Sequence, residues 1–181
     1  MYSENELIDE CLKNNRIAQK QLYEKYSRKM FGVCLRYAKS KEEAEDVLAD
    51  AFVQIFMKLS SFKRDGSFEG WIRRIVVNTS ITAYRSNLKF NLNDEISEIR
   101  DISNNDVSAI DLLNLQQLKS LIQQMPDGYR MVFNLHVMEG YNHREIGEML
   151  NINEGTSKSQ FSKARKWMQA KLEQYNITQY L

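Results

Sequence analysis

The segment HREIGEMLNINEGTSKSQFSKARK, His143 to Lys166, concentrates side chains suited to a charged partner. Its second half carries Lys158, Lys163, Arg165 and Lys166, and the stretch Gly155 to Lys171 has five basic residues and no acid. At 100° per residue, Ser157, Phe161, Ala164, Met168 and Leu172 share one helix face, which would pack on Ile146, Met149, Leu150 and Ile152. Thr156, Ser159, Ser162, Lys163 and Lys166 take the opposite side, flanked by Lys158 and Arg165. A small-polar, basic face suits phosphates and base edges in a DNA major groove. Asn tolerates the left-handed backbone region better than any residue but Gly, so Leu150-Asn151-Ile152 reads as a tight turn with Asn151 at positive φ. Gly155 is expected to let the second helix start close to a backbone. A plain bundle with a solvated basic face has the same periodicity; the turn favours a helix-turn-helix.

A second group mixes aromatic and basic residues: Phe62-Lys63-Arg64-Asp65-Gly66-Ser67-Phe68-Glu69-Gly70-Trp71-Ile72-Arg73-Arg74. Such a mixture holds single-stranded nucleic acid by stacking and phosphate contacts. Phe62, Phe68 and Trp71 also suit a core, and Trp71 is expected there. The exposed candidates are Lys63, Arg64, Arg73, Arg74, Asn78, Tyr84 and Arg85. A third group is acidic. Asp46 and Asp50 stand four apart beside Glu42, Glu43 and Glu45, forming a solvated or protein-docking stripe. A di-metal site would need Glu-x-x-His pairs, and the two histidines, His136 and His143, provide none. No GxSxG, P-loop, HExxH or catalytic Cys-His pattern is present, so neither enzyme chemistry nor a cofactor or metal is expected.

These groups need elements to position them. The chain has 181 residues, 43% hydrophobic and 27% charged, with one Pro and seven Gly, which predicts a packed, all-helical protein. A short helix or lead-in covers Met1–Lys13. From about Ile17, apolar residues recur at Leu22, Tyr26, Met30, Val33 and Tyr37 at helical spacing. Ser40 is a cap for a helix burying Ala44, Val47, Leu48, Ala51, Phe52, Ile55, Phe56 and Leu59. Ser60–Gly70 is a loop. The next helix points Trp71, Ile72, Ile75, Val76 and Thr79 inward and ends near Ser86. Further helices are expected over Ala109–Gln124, Gly128–Met138, His143–Leu150 and Glu154–Tyr175, with Asn142 and Glu145 at capping-box spacing.

Net charge is only +1, but its distribution is uneven. Between Asn91 and Asp111 lie Asp94, Glu95, Glu98, Asp101, Asp106 and Asp111 against Arg100, an acidic linker with one helical turn expected at Glu95–Arg100. The boundaries read as 1–86, linker 87–108 and 109–181. Cys11 and Cys34 form no CxxC, and Cys34 sits on an apolar stripe as a buried free thiol. Met1–Asp9 is polar, unlike a signal peptide, and no apolar run reaches membrane-spanning length. A cytoplasmic protein without membrane insertion is expected.

In this order, LYEKYSRKMF, EEAEDVLADAFVQIFMKL, GSFEGWIRRIVVN and MPDGYRMVFNLHVMEGYNHREIGEMLNINEGTSKSQFSKARK resemble the extracytoplasmic-function sigma factors of bacterial RNA polymerase. The resemblance covers about residues 17–86 and 109–175. It implies a sigma-2 helical bundle and a sigma-4 helix-turn-helix joined by the linker. It further implies docking on the β′ clamp helices through Asp46, Ala49 and Asp50, and a contact with the β flap. Phe62, Lys63, Arg64, Ser67, Arg74 and Asn78 would hold the melted −10 element. Thr156, Lys158, Ser159, Ser162, Lys163, Arg165 and Lys166 would face the −35 duplex. An anti-sigma factor is implied as a further partner. The chain departs from the family pattern at Ala49-Asp50 (often Gln-Glu), Thr82 (often Asp), Gln160 and Lys163 (often Arg) and Ser157 (usually Val). Ser157 is expected to loosen the last helix. Lys163 keeps the charge without the bidentate fork that reads guanine.

Five basic residues on one helix give weak, salt-sensitive duplex binding. Melting DNA costs about 1.4 kcal/mol per stacked step, so a large partner must supply surface and charge. Two other readings use the same residues: a stand-alone helix-turn-helix regulator binding duplex without polymerase, and an adaptor whose acidic helix docks a basic partner.

Overall fold

A computed structural model describes residues 2–91 and 110–174. Every regular element among them is helical, and the chain divides into two compact units, Met1–Tyr84 and Arg85–Leu181.

The first unit opens with α1 (Glu4–Leu12), started by a capping box in which Ser3 Oγ accepts from Glu6 N and the Ser3 amide donates to the Glu6 carboxylate. Ser40 caps α3 (Lys41–Lys58), as expected, and Asn15 caps α2 (Arg16–Tyr37). A 3-10 turn, Leu59–Ser61, leads into the loop before α4 (Phe68–Asn91). Leu7, Ile8, Cys11, Leu22, Met30, Val33, Cys34, Val47, Ala51, Phe52, Ile55 and Ile72 are buried in the core. Ile17 is 67% exposed, because at 100° per residue it lies about 140° from Leu22. The stripe of α2 begins instead at the buried Ala18.

α4 starts earlier and ends later than its sequence suggested. Ser67 caps it, its Oγ accepting from Gly70 N at 3.2 Å and its carbonyl from Trp71 N at 3.1 Å. Phe68 therefore opens the helix and is buried. No Gly or Pro interrupts Asn87–Asn91, and the helix continues through the start of the expected linker. The buried face of α4 is Ile72, Val76, Val77, Ser80 and Ile81, with Ile75, Thr79 and Trp71 only half-buried. Trp71 is thus not a core residue: it lies stacked on Phe68, 13° between ring planes, at the margin of the unit. The acidic stretch 92–109, with the helical turn expected at Glu95–Arg100, lies outside the described residues.

The second unit contains α5 (Ile110–Gln124), α6 (Asp127–Phe133), a π turn (Asn134–Met138), α7 (His143–Leu150) and α8 (Glu154–Gln174). Sequence periodicity treated α6 and the π turn as one helix, since a π turn adds a residue without changing the residue types. Leu121, Ile122, Met125, Ala164 and Met168 form the core, with Phe133, Trp167 and Leu172 packed against it. Arg130, only 3% exposed, donates to the carbonyls of Gln123 and Met125 at the end of α5 and pairs with Asp127 at 2.8 Å. This buried cap had no signature in the sequence, because the residues it joins are spaced like any loop.

Candidate nucleic-acid interface

In the second unit the turn between α7 and α8 is built from backbone constraints. Asn142 and Glu145 form the capping box of α7, with Asn142 Oδ1 accepting from Glu145 N at 2.9 Å. Asn151 ends the helix at φ 57° and ψ 46°, the left-handed conformation expected of it. The amide of Ile152 donates to the Gly147 carbonyl at 3.0 Å, which folds the chain back. Asn153 caps α8, its Oδ1 accepting from Thr156 N at 2.6 Å. Glycine is required at 147 and not at the expected 155. A Cβ at 147 would lie 2.8 Å from the Ile152 carbonyl oxygen, whereas at 155 it would meet only the Asn153 side chain, at 3.3 Å.

On α8, Ser157, Ala164 and Met168 are buried and Phe161 and Leu172 half-buried, so the inner face is as the periodicity indicated. Lys158, Ser159, Ser162, Lys163, Arg165 and Lys166 are exposed and Thr156 is half-buried. Lys158 is held by Glu154 one turn earlier, at 2.6 Å, and this pair lowers the Glu154 carboxyl below the usual carboxylate range. The acid-free stretch thus begins just after an acid that shares its first lysine. The buried Ser157 hydroxyl has a partner, its Oγ lying 3.0 Å from His143 Nδ1.

In the first unit, Asp46, Ala49 and Asp50 are exposed on α3. At 100° per residue, Val53 and Met57 continue the line of Asp46 and Asp50 to within about 40°. They are 55% and 71% exposed. An acidic stripe therefore runs into an apolar one. The signal was present in the sequence as two apolar residues on the polar side of the helix, and the sequence reading missed it. An open groove of about 500 Å³ separates α3 from α4, lined by Asp50, Val53, Gln54 and Lys58 on one side and Ile75, Asn78, Thr79 and Thr82 on the other. It brings Asp50 and Asn78 to a single surface.

In the same unit, Phe62, Phe68 and Trp71 form an aromatic group with centroids 4.9 to 5.7 Å apart, backed by Tyr26 against Phe68. Phe62 is half-buried in this group. Lys63, Arg64 and Ser67 are exposed on the loop, and Arg74 and Asn78 are exposed on α4. Both lie within about 20° of the azimuth of Ser67 at helical spacing. The loop is bent by left-handed backbone at Arg64 (φ 61°) and Gly66 (φ 95°), and the Arg64 guanidinium pairs with Asp9 of α1. Nothing local in the sequence signals that partner. Among the described residues, no group of three or more His, Cys, Asp or Glu is placed to hold a metal.

The family models for sigma-70 region 2 and sigma-70 region 4 match residues 22–89 and 115–168. The extracytoplasmic-function sigma factor SigW of Bacillus subtilis is 27% identical over 178 residues, covering 91% of this chain and 94% of that protein. The chain belongs to the extracytoplasmic-function sigma factors. The sigma-E factor of Escherichia coli (strain K12) is 25% identical, covering 92% of this sigma factor and 93% of its own length. The structure of the Bartonella quintana sigma factor RpoE in complex with the anti-sigma factor NepR matches with a TM-score of 0.55 at 19% identity, over 85% of this chain and 96% of that one, a likeness of fold. The chain is therefore an RNA polymerase sigma factor, and no helix among its described residues is long and apolar enough to cross a membrane.

Proposed function

We propose that residues 1–86 of this sigma factor dock on core RNA polymerase and hold the melted −10 strand, while residues 109–181 read the −35 duplex, with 87–108 as the linker. Asp46, Ala49 and Asp50 face the β′ clamp helices, joined by the exposed apolar Val53 and Met57. Phe62, Lys63, Arg64, Ser67, Arg74 and Asn78 take the −10 strand. Thr156, Lys158, Ser159, Ser162, Lys163, Arg165 and Lys166 take the −35 element, and the same unit meets the β flap. An anti-sigma factor competes for these surfaces in the cytoplasm, the place of action. The α3–α4 groove carries the reading. Asp50 and Asn78 line it together, so one small unit presents a docking helix next to a strand-holding helix.

The division of labour follows from charge. Lys158 is already shared with Glu154, which takes one of the five basic residues of the free recognition helix from the charge it offers the duplex. Tethering both units to core turns two weak contacts into one strong one, a gain on the order of a hundred-fold. Fluorescence anisotropy with a −35/−10 fork duplex, with and without sigma-free core, measures this gain. Asp50→Lys is expected to remove it while leaving the weak duplex binding of the free chain. Lys163→Glu is expected to weaken −35 binding in both settings. Equal affinity with and without core would overturn the reading in favour of a regulator that binds duplex alone.

A further inference from the structure

The two histidines of the chain meet in the helix-turn-helix. His136, on the π turn, stacks on His143 at the start of α7, with centroids 4.5 Å apart and 17° between planes. Both rings contact Phe161 of α8, at 4.6 and 5.6 Å. His136 Nδ1 lies 2.8 Å from the Tyr141 carbonyl oxygen, which only accepts, so that nitrogen carries a proton. His143 Nδ1 lies 3.0 Å from Oγ of Ser157, a fully buried residue of the recognition helix. One contact chain thus runs from the π turn through both imidazoles into α8, one residue from Lys158.

The charged groups around the pair oppose further positive charge. Burial disfavours a proton on His143, and His136 of the π turn and Lys158 of α8 add to this; Glu154 of α8 pulls the other way but is engaged with Lys158. Arg144, next in α7, pairs with Glu148 at 3.5 Å. A positive charge on His143 would be repelled by Lys158 one residue from Ser157, which opposes the close approach of the ring to α8.

We propose that His136 and His143 are positioning residues that hold the recognition helix in register for the −35 duplex while His143 is neutral, so that acidification weakens −35 engagement and spares core docking. This rests on α8 reading the −35 element. It deepens that reading by giving it a condition set by two residues outside the proposed −35 contacts. The sign follows from the burial and neighbouring charges of His143, which hold its folded pKa below the usual histidine value of 6.5. The arrangement is fully stable above the unfolded value. Stability is lost as pH falls from there through the folded value, because the unfolded chain takes up the proton first.

The test uses holoenzyme reconstituted with the full chain and two fluorescent probes, a −35-containing fork and a −10-only single strand, between pH 7.5 and 5.5. The ratio of the two affinities cancels titration of core and of the −10 site. The −35 contribution is expected to fall on the order of five-fold or more, the low end of coupling between linked sites. His143→Asn keeps a hydrogen-bonding atom near the Nδ1 position but loses the stacked ring and does not titrate; it is expected to bind the −35 fork more weakly than the wild type at pH 7.5 and to lose the pH dependence. His136→Phe keeps a stacked ring and removes the imidazole that disfavours a proton on His143, and is expected to reduce the dependence. Histidine ring NMR of the free full chain is expected to show His143 titrating below a solvated histidine in the wild type. A flat wild-type ratio, a −35 contribution that rises on acidification, or an unchanged pH profile in both variants would overturn the proposal. Lys163→Ala separates the two failures. If it leaves −35 affinity intact, the assignment of α8 fails; if it lowers −35 affinity while the wild-type profile is flat, only the histidine role fails.

Discussion

Replacing Gly147 by Ala tests the geometry that aims the recognition helix. Gly147 is buried in α7, where Ala would ordinarily stabilise a helix by about 1 kcal/mol. Here its Cβ would lie 2.8 Å from the Ile152 carbonyl oxygen, about 0.6 Å inside ordinary contact at 3.4 Å, with Glu154 N at 3.6 Å and Asn153 C at 3.7 Å. All three obstacles are backbone, so relief requires α8 to move. Overpacking of this kind costs about 1–3 kcal/mol, and with only backbone in the way the upper half of that range applies, so that about 1–2 kcal/mol of net loss remains after the propensity gain. For a unit of this size that lowers Tm by roughly 5–15 °C. Trp167 packs against the second unit's core, so its fluorescence in a Trp71→Phe background follows the melting of that unit. The same variant is expected to lose −35 affinity in holoenzyme. A Tm equal to or above that of the parent would refute the close approach and with it the account of how α7 aims α8.

Asn151→Gly is expected to hold or raise Tm, and Asn151→Val to lower it by an amount corresponding to about 1–2 kcal/mol, because a β-branched residue resists φ 57°; an undisturbed Val variant in thermal melts would contradict the left-handed cap. Burial pushes the Cys11 thiol up to about 11 and the Cys34 thiol up to about 12. Both are therefore expected to resist a thiol reagent at pH 8 in the folded chain and to react fully in denaturant; fast native labelling would show that either site opens. Asp9→Asn removes the carboxylate that pairs with Arg64. The −10 single strand is expected to gain a few-fold affinity in holoenzyme if the pair competes with phosphate, and a loss in the anisotropy titration would show that Asp9 instead shapes the loop.

The parts legible in the sequence depend on neighbours along the chain. Caps at Ser40 and Asn142, the left-handed turn at Asn151 and the inner face of α8 follow from side-chain type and helical spacing, which act over three or four residues. The acidic stripe of α3 was legible for the same reason, and the exposed Val53 and Met57 that continue it were legible in principle.

What escaped the sequence depends on which backbones approach in space. Gly147 and Gly155 both flank the turn, and only the crossing of α7 and α8 makes one of them obligatory. Ser157 looked like a defect until packing placed His143 against it. Arg64 and Asp9 are 55 residues apart, and Asp50 and Asn78 lie on different helices. By itself, the sequence determined an all-helical chain with a basic helix after a tight turn, because those properties are local. Tertiary structure decided which side chains share a groove, a stack or a buried hydrogen bond, because those contacts arise only after distant helices have packed.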